Sequence, residues 1–354
     1  MTSRSKPVAT KKSGAEHLRL PLGVLGLFGV IVLVWSALHF GDLEKFADTL
    51  RDANPLWLIV AVVLQVMTYA SVAQGWRSVL AKASSPQPLL RLVPIALSKL
   101  FADQALPAAG MGGNILLVAR LRALGVPRSS AMATLLVSMI GFYAAYAFLA
   151  IVMLVVLWLN GHATPLLSGM VTAFLLVALA IPSLALWLRR RGSKPLSPFL
   201  EGIPVVRSLL HVVGETPPHL LRNRLLLAKV AGFNGLVFLA DAATLEACLL
   251  ALGTPVTFET SYIAVMIASI VTTLGPVPLG VGIYEAGSTA MLTMLGVPVA
   301  PALAGTLLLR GFTLWLPMIP GFLLIRRSLV RPPKLSPTVN VQKAKHQPVE
   351  GPRQ

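Results

Sequence analysis

The chain has 354 residues, of which 55% are hydrophobic and only 12% charged, and its mean hydropathy is +0.76. A soluble domain carries about twice that charge, and the apolar residues here come in runs of about 20 or more, long enough to cross roughly 30 Å of hydrocarbon. A water-soluble enzyme or binding module is therefore excluded. The 30 Lys and Arg against 13 Asp and Glu give a formal charge of +17, but the basic residues gather at segment ends and tails, such as Arg189, Arg190, Arg191, Arg326, Arg327, Arg331 and Lys334. That distribution suits cytoplasmic loops facing anionic headgroups rather than a nucleic-acid groove.

Residues 1–19 read as a basic cytoplasmic tail. The apolar run 20–39 is followed by acidic residues instead of a small-residue cleavage site, so it reads as an uncleaved first span. Further spans are expected at 55–73, 131–159, 165–188, 225–252 and 301–325, which makes six crossings. Two apolar regions break this pattern. Residues 92–123 are interrupted by Leu106-Pro-Ala-Ala-Gly-Met-Gly-Gly-Asn114, and residues 261–295 by Leu274-Gly-Pro-Val-Pro-Leu-Gly-Val-Gly282. The break residues are Pro107, Gly110, Gly112 and Gly113 in the first region and Gly275, Pro276, Pro278, Gly280 and Gly282 in the second. Each flank is only about 12 to 15 residues long, short for a straight crossing, so each region reads as a re-entrant helical hairpin. Residues 328–354 read as a second basic, disordered cytoplasmic tail.

The distribution of Lys and Arg gives a consistent alternation. The 40–54 loop carries Asp42, Glu44, Asp48 and Asp52 and falls outside; Arg77, Lys82 and Arg91 precede the first hairpin and Arg120, Arg122 and Arg128 follow it, so it enters from inside. The 160–164 loop lies outside. The 189–224 connection lies inside, with a short interfacial helix expected around 204–213. Segments 253–260 and 296–299 lack Lys and Arg, so the second hairpin enters from outside.

Shifting the second hairpin onto the first by 171 residues superimposes Pro107 on Pro278 and Leu124-Gly-Val-Pro127 on Leu295-Gly-Val-Pro298, with ten of 36 positions identical from Pro107 to Phe142. The fold expected is all-α: about six full transmembrane helices plus two re-entrant hairpins, arranged as an inverted repeat with units at about 55–159 and 225–325 inside one domain, 20–327. Transporters are often built in this way, with broken helices meeting near the midplane. Irregular backbone at that depth is tolerated only where protein or a water-filled cavity surrounds it.

Ionisable residues inside spans are candidates for function. Glu285 opens the helix after the second break, with Tyr284 beside it; either it caps that helix or it handles substrate or protons. Its counterpart at the first break is Asn114. Arg310, inside the last span, either pairs with Glu285 or meets a lipid phosphate, for which a planar five-donor cation is suited. Asp241 either lines a cavity or pairs with a neighbour, and Lys99 and Asp103, four apart, are expected to pair locally. The lone Cys248 and the scattered histidines offer no metal centre. No P-loop, His-Glu-x-x-His or nucleophile elbow is present, so neither a cofactor nor an enzymatic activity is expected.

The segments Gly275-Pro-Val-Pro-Leu-Gly-Val-Gly-Ile-Tyr-Glu285, Leu295-Gly-Val-Pro298 and Leu308-Leu-Arg-Gly-Phe-Thr-Leu-Trp-Leu-Pro317 resemble the lysylphosphatidylglycerol synthase transmembrane region, a flippase-like family of bacterial and archaeal membrane proteins. The resemblance covers about residues 20–327. It implies a stand-alone member without the synthase domain, located in the cell membrane with both termini cytoplasmic, and it marks Glu285 and Arg310 as the family's acidic and basic positions. Members commonly carry a Gly-Glu and a Glu-Arg in the first half, where this chain has Gly113-Asn114 and Ser138-Met139. The function implied is translocation of an anionic phospholipid or polyprenyl-linked lipid between leaflets. The alternative is a non-transporting accessory subunit that holds a glycosyltransferase or lipid-modifying enzyme at the membrane. Expected partners are anionic membrane lipids and such an enzyme, without nucleic acid; sequence leaves the oligomeric state open.

Overall fold

The computed structural model describes residues 53–105, 111–191, 216–275, 280–317 and 320. The expected first span, both tails, the interfacial helix around 204–213 and the break residues Pro107, Gly110, Pro276 and Pro278 lie outside the described residues. Every regular element among the described residues is a helix: α1 (Pro55–Lys82), α2 (Leu89–Ala105), α3 (Met111–Ala123), α4 (Arg128–Leu159), α5 (Pro165–Arg191), α6 (Pro218–Arg222), α7 (Arg224–Ala251), α8 (Phe258–Leu274), α9 (Ile283–Met294) and α10 (Val299–Arg310). The last of these runs on into a π-helical turn, Gly311–Trp315.

Four helices are long and apolar enough to cross a membrane: α1, α4, the Pro165–Leu184 part of α5, and α7. At 28 residues each, α1 and α7 reach about 42 Å. α1 runs past its expected end at Ala73 because nothing breaks the helix before Ala83. Both begin at an asparagine cap, Asn54 accepting from the Leu56 N–H and Asn223 from the Leu226 N–H, which satisfies donors that the first helical turn leaves open. The four arms α2, α3, α8 and α9 have 17, 13, 17 and 12 residues. Their lengths of about 26, 20, 26 and 18 Å fall short of a bilayer's hydrocarbon thickness. Within each pair, α2 with α3 and α8 with α9, the arms pack against one another.

The order long helix, two short arms, next helix occurs twice. Each residue of α7 and α8 lies 169 positions after its counterpart in α1 and α2, as Pro55 to Arg224 and Leu89 to Phe258 show; from the ends of α3 and α9 onward the offset is 171. The single shift of 171 inferred from sequence therefore holds only after the breaks, the second hairpin, 258–294, being two residues longer than the first, 89–123. The shared Leu-Gly-Val-Pro turns have the same hydrogen bonds. Gly125 and Gly296 adopt φ of +81° and +92°; the Val126 N–H donates to the Leu121 carbonyl and the Val297 N–H to the Leu292 carbonyl. In both copies this is a helix stop with a left-handed residue at its end and an apolar contact across it, Val126 on Leu121 and Val297 on Leu292, all buried.

α1 and α7 pack antiparallel: the Asn54 N–H donates to the Ala251 carbonyl at 2.9 Å, and near their middles the Ser71 hydroxyl donates to the Phe233 carbonyl at 2.8 Å. In each half the long helix packs on its first arm and on the helix that follows the hairpin, α1 on α2 and α4, and α7 on α8 and α10; α4 packs in addition on α7 and α8. α4 and α7 approach closely at Gly141, where a Cβ would lie 2.8 Å from Val230 Cγ1, and at Gly235 against Ala145. Small residues at such crossings let apolar helices gain dispersion contact where lipid offers no hydrophobic drive. Tyr146, Phe174 and Phe238 stack in the larger core with Leu149, Met153 and Leu245, while Trp76, Leu80, Leu92, Leu117 and Leu121 fill the core of the first half.

Candidate functional site

The second break fixes the geometry of the polar residues around it. Gly280 and Gly282 have φ of +61° and +83°, a region costly for residues with a Cβ, and a Cβ on Gly280 would lie 2.2 Å from Thr272 Cγ2 on α8. The chain turns here within a space that only glycine fits. Gly275 ends α8, and Gly282 is the N-cap of α9. Three residues on, the Glu285 carboxylate accepts the Gly282 N–H through Oε2 at 2.7 Å, which compensates one open donor of the helix start and places negative charge at the positive end of its dipole.

The other carboxylate oxygen of Glu285 faces α10. Arg310 Nε donates to Oε1 at 2.9 Å, with side-chain exposures of 10% for Arg310 and 16% for Glu285. The guanidinium carbon lies 4.8 Å from the centroid of the Tyr284 ring, within cation–π range. Tyr284 is also within electrostatic reach of Asp241 and Tyr146. One carboxylate thus joins three elements: the break, the start of α9 and the end of α10. Immediately beyond Arg310 the helix widens into the π turn, a local expansion frequent at functional sites. Capping and ion pairing coexist in Glu285 because its two oxygens serve different partners.

Asp241, on α7, accepts a hydrogen bond at 2.9 Å from Gln65 Nε2 of α1, which also donates to the Thr244 hydroxyl at 3.0 Å. Gln65 is 2% exposed. One turn further along α1, Tyr69 lies within electrostatic reach of Asp241, and its buried hydroxyl has no hydrogen-bond partner among the described residues. Sequence reading singled out Asp241 but missed Gln65 and Tyr69, whose i, i+4 spacing on the facing span was the available signal.

At the first break Asn114 does not take the role of Glu285. The acceptor at the start of α3 is Asp103, which reaches across from α2 to the Gly113 N–H at 3.0 Å. Lys99 pairs with the same carboxylate at 2.6 Å. A Cβ on Gly113 would lie 2.2 Å from Asp103 Oδ1, so a side chain there would displace the carboxylate from this position; Gly112 precedes it in the first turn of α3. Asp103 therefore does more than pair with its neighbour on the same helix.

Residues 23–321 match the family described as the lysylphosphatidylglycerol synthase TM region. The chain is also 21% identical over 325 residues to a UPF0104 membrane protein of Pyrococcus horikoshii, a match that covers 86% of this chain and 96% of that protein. Together with the apolar helices, these matches make it a multi-pass membrane protein, and it belongs to the lysylphosphatidylglycerol synthase transmembrane region family.

Proposed function

We propose that this chain moves an anionic lipid, a phospholipid or a polyprenyl-linked lipid, between the leaflets of a cell membrane, along a path between its two helical hairpins. In this reading six helices cross the membrane, both termini are cytoplasmic, and the two hairpins are re-entrant from opposite faces as halves of an inverted repeat. The antiparallel packing of α1 on α7 supports the inversion, since two equivalent helices related by an axis in the membrane plane must run in opposite directions. Arm lengths of about 18 to 26 Å support hairpins that turn back before crossing.

The observation that carries the proposal is the Glu285–Arg310 pair at the second break. An ion pair among apolar helices is costly to desolvate and weak as a stability device, so its position between irregular backbone and a π turn is better accounted for by traffic of a charged headgroup. Arg310 meets the phosphate and Glu285 holds the guanidinium in place between passages. The test is leaflet exchange in liposomes containing purified protein, with a fluorescent anionic phospholipid and a polyprenyl-phosphate analogue, comparing wild type with Arg310→Ala and Glu285→Gln. Exchange that depends on Arg310 supports translocation. Folded wild-type protein that moves neither lipid refutes it and favours the accessory-subunit reading.

A further inference from the structure

Building on the reading of the second break as a headgroup contact, we propose that Lys99 and Asp103 form a second contact for the same ligand chemistry, a phosphate anion, on the first hairpin. The two carboxylates divide their oxygens alike. Asp103 gives Oδ1 to the Gly113 N–H at 3.0 Å and Oδ2 to Lys99 Nζ at 2.6 Å; Glu285 gives Oε2 to the Gly282 N–H at 2.7 Å and Oε1 to Arg310 Nε at 2.9 Å. In each hairpin one carboxylate joins a backbone N–H at the start of the second arm to one cation.

These residues are not repeat counterparts. With the offsets read from the helices, Asp103 corresponds to Thr272 and Lys99 to Ala268, while Glu285 corresponds to Asn114 and Arg310 to Met139. The same arrangement is thus built from different positions in the two halves, so descent of the repeat does not by itself produce it. A pair serving only its own helix would need no partner on α3, and such i, i+4 pairs contribute little to helix stability. Here the space for the carboxylate exists because Gly113 has no side chain.

The chemistry of the cation specifies the ligand. Lys99 presents a compact ammonium with three donors, one of which goes to Asp103; among the described residues no other acceptor contacts it. Both members of the pair are 25% exposed, against 10% and 16% for Arg310 and Glu285. The first hairpin therefore offers the more open contact, and a phosphate oxygen fits the remaining donors. The charged pair that the first half lacks at Asn114 and Met139 is supplied from its other arm.

The test is binding to the full-length purified protein in neutral detergent of dihexanoyl phosphatidylglycerol, with inorganic phosphate and dihexanoyl phosphatidylcholine as separate probes. Lys99→Ala is expected to weaken phosphatidylglycerol binding about tenfold, Lys99→Arg to restore most of it, and Gly113→Ala, which displaces the carboxylate, to shift binding as Asp103→Asn does. Thermal unfolding of each variant establishes that it is folded, and Lys99→Arg keeps the test decisive if Lys99→Ala is not. Unchanged binding in folded Lys99→Ala, alongside a loss in Arg310→Ala, would overturn this inference and leave the proposed function standing. Insensitivity to both substitutions would overturn both, and inorganic phosphate binding as tightly as the lipid would replace a lipid headgroup by a soluble anion.

Discussion

Removing one member of the Glu285–Arg310 pair should destabilise the protein far more than removing both. Glu285→Gln keeps an oxygen that can accept the Gly282 N–H but deletes the charge; Arg310→Met keeps most of the aliphatic stem over Tyr284 and deletes the cation. With exposures of 16% and 10%, solvent screens the remaining charge little, and each single variant should lose about 3 kcal/mol or more. In the double variant both charges are gone, so the total cost should be at most about 2 kcal/mol and the coupling energy at least about 4 kcal/mol. The assay is reversible unfolding of all four proteins by SDS in mixed micelles. Single losses that add to the double loss within about 0.5 kcal/mol would mean that the two groups do not interact, and the account of the second break would fall with them.

Gly141→Ala places a methyl 2.8 Å from Val230 Cγ1 and 3.2 Å from the α7 backbone, which cannot yield easily; a loss of about 1 to 3 kcal/mol is expected. Gly232→Ala, with open space around it, should be neutral or gain up to about 1 kcal/mol from helix propensity, so thermal unfolding of the two variants in one detergent separates packing from propensity. Gln65→Leu removes the donor to Asp241 and should cost about 1 to 3 kcal/mol, whereas pairing it with Asp241→Leu should recover part of the loss; equal costs for the single and the double variant would refute that bond. Gly282→Ala should cost about 1 to 2 kcal/mol because φ is +83°, and unchanged unfolding there would contradict the left-handed cap.

What could be read from sequence followed physical period and punctuation. Apolar runs located α1, α4, α5 and α7, the Gly/Pro clusters located the breaks, and the shared Leu-Gly-Val-Pro located equivalent turns that bond in the same way. The pairing of Arg310 with Glu285 was legible because a lone cation in an apolar helix demands a partner. What escaped was contact between elements. Gln65 looks like an ordinary polar residue in a span until antiparallel packing brings it onto Asp241. Asp103 looks like half of a local pair until the hairpin folds and Gly113 arrives at its carboxylate. The two-residue difference between the hairpins was hidden because the residues that aligned lie from the break onward.

The two halves show what the repeat preserves. Trp76 donates to the Ser138 hydroxyl at 3.1 Å, and the corresponding positions in the second half are Leu245 and Leu309, both fully buried. Conversely Leu117 and Leu135, both buried, correspond to Ser288 and Thr306, whose hydroxyls bond at 2.9 Å. Polar and apolar contacts have traded places while the lengths of α1 and α7 and of α2 and α8, and the turns that follow the hairpins, are shared, because each buried pair needs only to satisfy itself in the space that the backbone provides. The breaks differ in one respect: there the same chemistry, a carboxylate shared between a backbone donor and a cation, is present in both halves although the residues supplying it have moved. Packing alone accepts either kind of pair, as the exchanged positions demonstrate; the charged arrangement at both breaks is what the proposed charged ligand, meeting both hairpins, would account for.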